Sequence, residues 1–115
     1  MEILNYTEDH LDFRKRLRDF LAKEVTPHAD QWEKDGVVPK AAWQKMGRAG
    51  FLCTEVSPDY GGIGGDFLYS VIVPEEISRT HQNGLVAPLH SDIVVPYITA
   101  YASPELKKKY LPDCV

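Results

Sequence analysis

Apolar residues in this chain recur at intervals of three and four, and runs that alternate at two are poor. A helix gathers residues at that spacing onto one side, whereas a strand would need alternation. Phe13, Leu17, Phe20, Leu21 and Val25 form the first stripe, with Arg14, Lys15, Arg18, Asp19 and Lys23 opposite. Thr7 can cap this helix, and Glu8 and Asp9 face the positive end of its dipole. Thr26-Pro27 restarts the chain, since proline at a first helical position gives up no hydrogen bond. That short helix runs to about Lys34, and Gly36 supplies a left-handed exit. Pro39 opens a third helix, with Trp43, Met46 and Ala49 or Gly50 inward.

Asp66 can cap a fourth helix carrying Leu68, Ile72, Val73 and Ile77, with Pro74 forcing a late start or a kink. A fifth begins near Ala87-Pro88, kinks at Pro96, and uses Leu89, Ile93, Val94, Tyr97, Ile98 and Tyr101 as its inward stripe. Ser103-Pro104-Glu105 starts a last short helix, with Lys107, Lys108 and Lys109 at its negative end. Short connections join these elements, as in helical bundles. The expected fold is all-α, a five- or six-helix up-and-down bundle forming one domain over 1–115.

Length and charge narrow the function classes. The 115 residues suit one domain with a real core. A net charge of −4 argues against a nucleic-acid binder, which would carry a basic face. Cys53 and Cys114 are too few for a disulfide scaffold and form no C-x-x-C, so two reduced thiols are expected. No apolar run is long enough to span a membrane. Residues 1–6 lack the features of a signal peptide, and a bacterial cytoplasm is the expected location.

No catalytic constellation stands out. Gly61-Gly62-Ile63-Gly64-Gly65 looks like a phosphate cradle, but no strand precedes it, no Lys-Ser/Thr follows, and Asp66 would repel an anion. It reads as a shaped turn. His10, His28, His81 and His90 show no metal-binding spacing. His90-Ser91-Asp92 holds triad residue types, but neighbours on a helix point about 100° apart and cannot line up. Glu75-Glu76 reads as a solvated face paired with Arg79 rather than an acid/base pair.

The order of several segments resembles the acyl-CoA dehydrogenase family. They are Phe20-Leu21-Ala22-Lys23-Glu24-Val25-Thr26-Pro27, Gly50-Phe51-Leu52, the loop from Pro58 to Asp66, Glu75-Glu76-Ile77, and Lys108-Lys109-Tyr110-Leu111-Pro112. The resemblance covers Tyr6 to Pro112 and matches the family's N-terminal helical domain. Leu89-His90-Ser91-Asp92-Ile93-Val94-Val95-Pro96-Tyr97-Ile98, and Pro27-His28 with Trp32-Glu33-Lys34, look most like the long-chain members.

The resemblance implies a full enzyme of three parts, with a middle β-domain and a C-terminal four-helix bundle following this one. It implies FAD held mainly by those later parts, and a homotetramer or homodimer. A glutamate of the C-terminal bundle takes the α-proton of a fatty acyl-CoA, hydride passes to the flavin, and electrons leave to an electron-transfer flavoprotein. The chain ends at Val115, so neither later part nor the catalytic glutamate is in it. The expectation is a dehydrogenase at full length and no activity from this chain alone.

Two roles carry over by resemblance. Gly84, Leu85, Val86, Pro88 and Leu89 match the region that walls and floors the acyl tunnel. Small or apolar residues there fit a long chain, since each buried methylene is worth about 0.8 kcal/mol. Ile63 and Val73, with Glu24 at the rim, match the pocket where the electron-transfer flavoprotein docks; Ala49 and Gly65 are smaller than usual there. Two other readings compete: a stand-alone helical interaction module without catalysis, and a relative of the acyl-CoA oxidases.

Overall fold

The computed structural model describes residues 3–115, and among them it is all-helical with no strand. The α-helices are α1 (Glu8–Glu24), α2 (Ala29–Asp35), α3 (Lys40–Arg48), α4 (Phe67–Ser78), α5 (Val95–Tyr101) and α6 (Pro104–Cys114). Short 3₁₀ turns at Thr26–His28 and Pro58–Tyr60 join them, and a π-helical segment, Leu89–Val94, leads into α5. The whole is a slab of 41 × 40 × 20 Å. Helices are about 10 Å across, so it is two layers thick.

The caps of the long helices are made, whereas Thr26, also expected as a cap, lies inside the 3₁₀ turn Thr26–His28, which has no side-chain cap. Thr7 accepts from the His10 amide, Asp66 from the Leu68 amide and Ser103 from the Leu106 amide. Gly36 ends α2 in the left-handed region at φ 69°. α1 packs mainly on α4. Phe13, Leu17 and Leu21 meet a core that includes Met46 of α3, Ile72 and Val73 of α4, Val95 of α5 and Leu111 of α6, all at 3% exposure or less. Each such side chain contributes about 1.5–3 kcal/mol through burial. Phe13 also packs edge-on against Phe51 and Tyr69, with ring centroids 5.4 and 5.0 Å away.

One open alternative is narrowed, since the late start of α4 is excluded, and three expectations need correction. α4 starts at Phe67 under the Asp66 cap and runs on through Pro74. The last helix extends to Cys114, so Lys107–Lys109 lie in its middle and not at its negative end. Glu75 and Glu76 do not share a solvated face: Glu75 is exposed, but Glu76 is 1% exposed.

Most of the fifth stripe faces outward, with Ile98 alone of it half-buried against the core. Leu89, Ile93, Val94, Tyr97 and Tyr101 are 50–82% exposed, while Ala87 and Val95 are buried. A π-helical turn holds more residues than an α-turn. The six residues Leu89–Val94 therefore advance the register, and Val95 takes the inward position that α-helical counting gives to its neighbours. With Phe67, also exposed, these side chains make a broad apolar surface. Exposed apolar patches of that kind mark interfaces. The isolated domain is expected to self-associate in light scattering at high concentration; a clean monomer there would overturn the expectation.

Candidate functional site

Two concave regions flank α4 and the loop that follows it. The first is a groove of about 570 Å³ along α4, lined by Phe67, Ser70, Val71, Pro74, Glu75, Ser78 and Asp92. Its walls are mostly apolar, and Asp92 enters from the π-helical segment. Burial pushes the Asp92 carboxyl above its usual range, and the Ser70 hydroxyl opposes that shift. Ser70 is itself buried and lies 3.3 Å from the Thr54 hydroxyl.

The second is a cleft of about 480 Å³ between the α2–α3 connection and the loop after α4. Trp32, Val37, Val38, Trp43, Gln82 and Gly84 shape it. Of the expected tunnel residues, only Gly84 lines this cleft. Leu85 is buried, Pro88 is half-buried, and Val86 and Leu89 are exposed on the outward face.

The three expected docking residues do not line a common cavity. Ile63 is 46% exposed at the tip of the glycine loop, whereas Val73 belongs to the core. Glu24 ends α1 and pairs with Lys45 of α3, whose ammonium holds the carboxyl below its usual range. Glu24 and Lys45 border a small cleft with His28, Trp32, Pro39, Ala41 and Ala42.

The glycine loop is a shaped turn. The amides of Gly61, Gly62, Gly64 and Gly65 donate to the carbonyls of Pro58, Ser57, Val56 and Thr54, at 2.7–3.1 Å. With those amides spent, the loop does not fit a flavin diphosphate, which needs free donors. No cluster of metal-binding side chains occurs among the described residues. His90, Ser91 and Asp92 diverge as expected. His90 Nε2 donates to the Cys114 carbonyl at 2.9 Å, Ser91 Oγ accepts from the Cys53 amide at 2.9 Å, and Asp92 turns to Ser70. Cys53 and Cys114 are free thiols. Burial pushes the Cys53 thiol up to about 11, which leaves it a poor nucleophile.

Two polar clusters escaped the sequence reading. Glu76 sits between Arg14 and Arg18 of α1, with contacts of 2.8–2.9 Å. Arg14 also reaches Glu75 at 2.7 Å. Buried His10 ties two helix starts together. Its Nδ1 accepts from the Thr7 amide at 3.0 Å, and its Nε2 donates to Asp66 at 2.8 Å. The first cluster holds α1 on α4, and the second fixes the entrance of α4. Neither offers a nucleophile beside a base.

Comparison with known proteins gives a consistent picture. The family model described as "Acyl-CoA dehydrogenase, N-terminal domain" matches residues 7–115. The mitochondrial long-chain specific acyl-CoA dehydrogenase of Mus musculus is 39% identical over 108 residues, which are 94% of this chain and 25% of that protein. A crystal structure of an acyl-CoA dehydrogenase from Geobacillus kaustophilus superposes with a TM-score of 0.91 at 47% identity, over 95% of this chain and 29% of that one. A chain from a structure titled for the electron transferring flavoprotein of Acidaminococcus fermentans superposes with a TM-score of 0.87 at 27% identity, over 99% of this chain and 30% of that one. The chain thus spans between a quarter and a third of the proteins it matches.

Proposed function

Because the chain belongs to the acyl-CoA dehydrogenase family, as its N-terminal domain, we propose that the full-length product of its gene is an FAD-dependent oxidoreductase. It converts a fatty acyl-CoA to the trans-2-enoyl-CoA. The observation that carries this reading is the 0.91 superposition on the Geobacillus kaustophilus enzyme at 47% identity. That degree of likeness extends to side chains as well as to fold.

This chain's share is to bind and shape rather than to react. Among the described residues it holds no nucleophile–base pair, and the four glycine amides of its loop are already given to backbone carbonyls. FAD and the proton-abstracting glutamate belong to the remainder of the full-length protein, and this chain by itself is inactive. The α4 groove and the residues Gly84, Leu85, Val86, Pro88 and Leu89 wall the acyl chain. The apolar face of α5 packs on the later domains within a homotetramer or homodimer. Electrons leave to an electron-transfer flavoprotein at a surface that includes Ile63 and Glu24. Val73, being buried, supports that surface from beneath. No helix is long and apolar enough to cross a membrane among the described residues. A bacterial cytoplasm is the proposed site of action.

Anaerobic titration of the full-length flavoprotein tests the reading. Palmitoyl-CoA is expected to bleach the flavin band, and to do so at lower concentration than butyryl-CoA. A flavin that neither substrate bleaches, or a colourless natural product, would move the assignment to a helical interaction module. Rapid reoxidation by oxygen without a protein acceptor would favour an oxidase.

A further inference from the structure

Two carboxylates edge the α4 groove, and only one of them has a counter-charge. Glu75 is exposed and pairs with Arg14 at 2.7 Å. Asp92 is half-buried, enters from the π-helical segment, and joins no ion pair among the described residues. Glu76 shows the contrast, since that buried acid is met by Arg14 and Arg18 at 2.8–2.9 Å. Burial without a cation is what raises the Asp92 pKa. Its polar neighbour is the Ser70 hydroxyl, which is 6% exposed, lines the same groove, and lies 3.3 Å from the Thr54 hydroxyl. The facing wall is apolar. Phe67, Val71 and Pro74 follow one another at three or four residues, so they share one side of α4.

We propose that Asp92, with Ser70 beside it, receives a hydroxyl carried part-way along an acyl chain in this groove, so that hydroxylated fatty acyl-CoAs are the preferred substrate class; this rests on the acyl-CoA reading above, which lays the chain along α4. An unsubstituted chain would strip water from the Asp92 carboxylate and offer it no hydrogen bond in return. A hydroxyl on the chain donates to that carboxylate, while the methylenes on either side meet Phe67, Val71 and Pro74. A fully enclosed site built for a hydroxyl rejects the analogue lacking it by about 10⁴-fold or more. This groove is open along Phe67 and Ser78, both exposed, so a preference of about tenfold is expected.

The test uses the full-length flavoprotein with palmitoyl-CoA and a set of hydroxypalmitoyl-CoA isomers, each with its hydroxyl beyond the fourth carbon. Equal chain length keeps the measurement apart from any selection by length. At least one isomer is expected to exceed palmitoyl-CoA in kcat/KM by tenfold. In Asp92→Leu that preference should vanish from both sides, with the value for the isomer falling and the value for palmitoyl-CoA rising. Asp92→Asn carries the test if Asp92→Leu does not fold. It keeps an acceptor but loses the charge that strengthens the bond, and should cut the preference at least threefold. Bleaching by palmitoyl-CoA with no isomer preferred, a preference that survives in a folded variant, or an equal fall for both substrates would overturn the inference and leave the acyl-CoA reading intact. A wild-type protein that turns over none of these thioesters would overturn both.

Discussion

Glu76→Ala is expected to cost about 3 kcal/mol of stability, the low end of what removing one partner of a buried ion pair does. Glu76 is 1% exposed and takes contacts of 2.8–2.9 Å from Arg14 and Arg18. Deleting its carboxylate removes the buried polar link between α4 and α1, its main packing partner, and leaves the exposed Arg14–Glu75 pair between them. The cost stays at the low end because Arg14 keeps Glu75 at 2.7 Å, and because Arg18 is 55% exposed and returns to water. In a domain of this size, the loss would lower Tm by roughly 10–20 °C. Glu75→Ala is the control. Glu75 is 48% exposed, and an exposed pair is worth about 1 kcal/mol or less. Equal Tm values for the two variants would contradict the assignment.

The same carboxylate sets a pH signature. The Arg18 and Arg14 guanidinium groups hold the Glu76 carboxyl below its usual range, against the opposing effect of burial. A group whose folded pKa is depressed stabilises the fold above its unfolded value, near 4.3 for Glu. That contribution fades as pH falls through the lower, folded value. Asp92 shifts the other way, since burial raises its pKa, so its contribution has the opposite sign. The difference between wild type and Glu76→Gln isolates the first effect. The gap in unfolding free energy should be widest at neutral pH and should close in acid below about pH 4. A gap independent of pH would show that packing, and not charge, ties Glu76 to α1.

What the sequence disclosed depended on distance along the chain. Thr7, Asp66, Ser103 and Gly36 act within three or four residues of their own helix ends, so their roles follow from local order alone. The stripe Phe13, Leu17 and Leu21 was legible because α1 is regular over 17 residues. The fifth stripe misled because a π-helical segment changes the count, and no residue type announces it. Glu75 and Glu76 are adjacent, about 100° apart on a helix. Nothing local tells which of them turns toward α1. His10 was unremarkable in sequence, yet it bonds Asp66 across 56 positions. The candidate site suffers most from this limit. Gly84 shares a cleft with Trp32, Val38 and Trp43, which the chain brings to it only by folding.

Gly62→Ala should be at least as damaging as Glu76→Ala, for a reason unrelated to charge. A Cβ at position 62 would sit 2.0 Å from the Val56 carbonyl oxygen, 2.6 Å from its carbon and 2.8 Å from Val56 Cβ. None of these is the loose end of a side chain. Val56 is 4% exposed, its amide donates to the Cys53 carbonyl at 3.0 Å, and its own carbonyl accepts from Gly64 at 2.8 Å. Relief therefore requires moving backbone that the rest of the loop holds, and Ile63 at the proposed docking tip would move with it. The expected cost is about 3 kcal/mol or more, the upper end for overpacking. Gly36→Ala is the contrast: Gly36 is left-handed at φ 69°, and its Cβ would meet nothing within 4 Å. It pays only the left-handed penalty, about 1–2 kcal/mol. Chemical denaturation of both variants decides the matter. If Gly62→Ala proves milder than Gly36→Ala, the close approach to Val56 is not what fixes a glycine there.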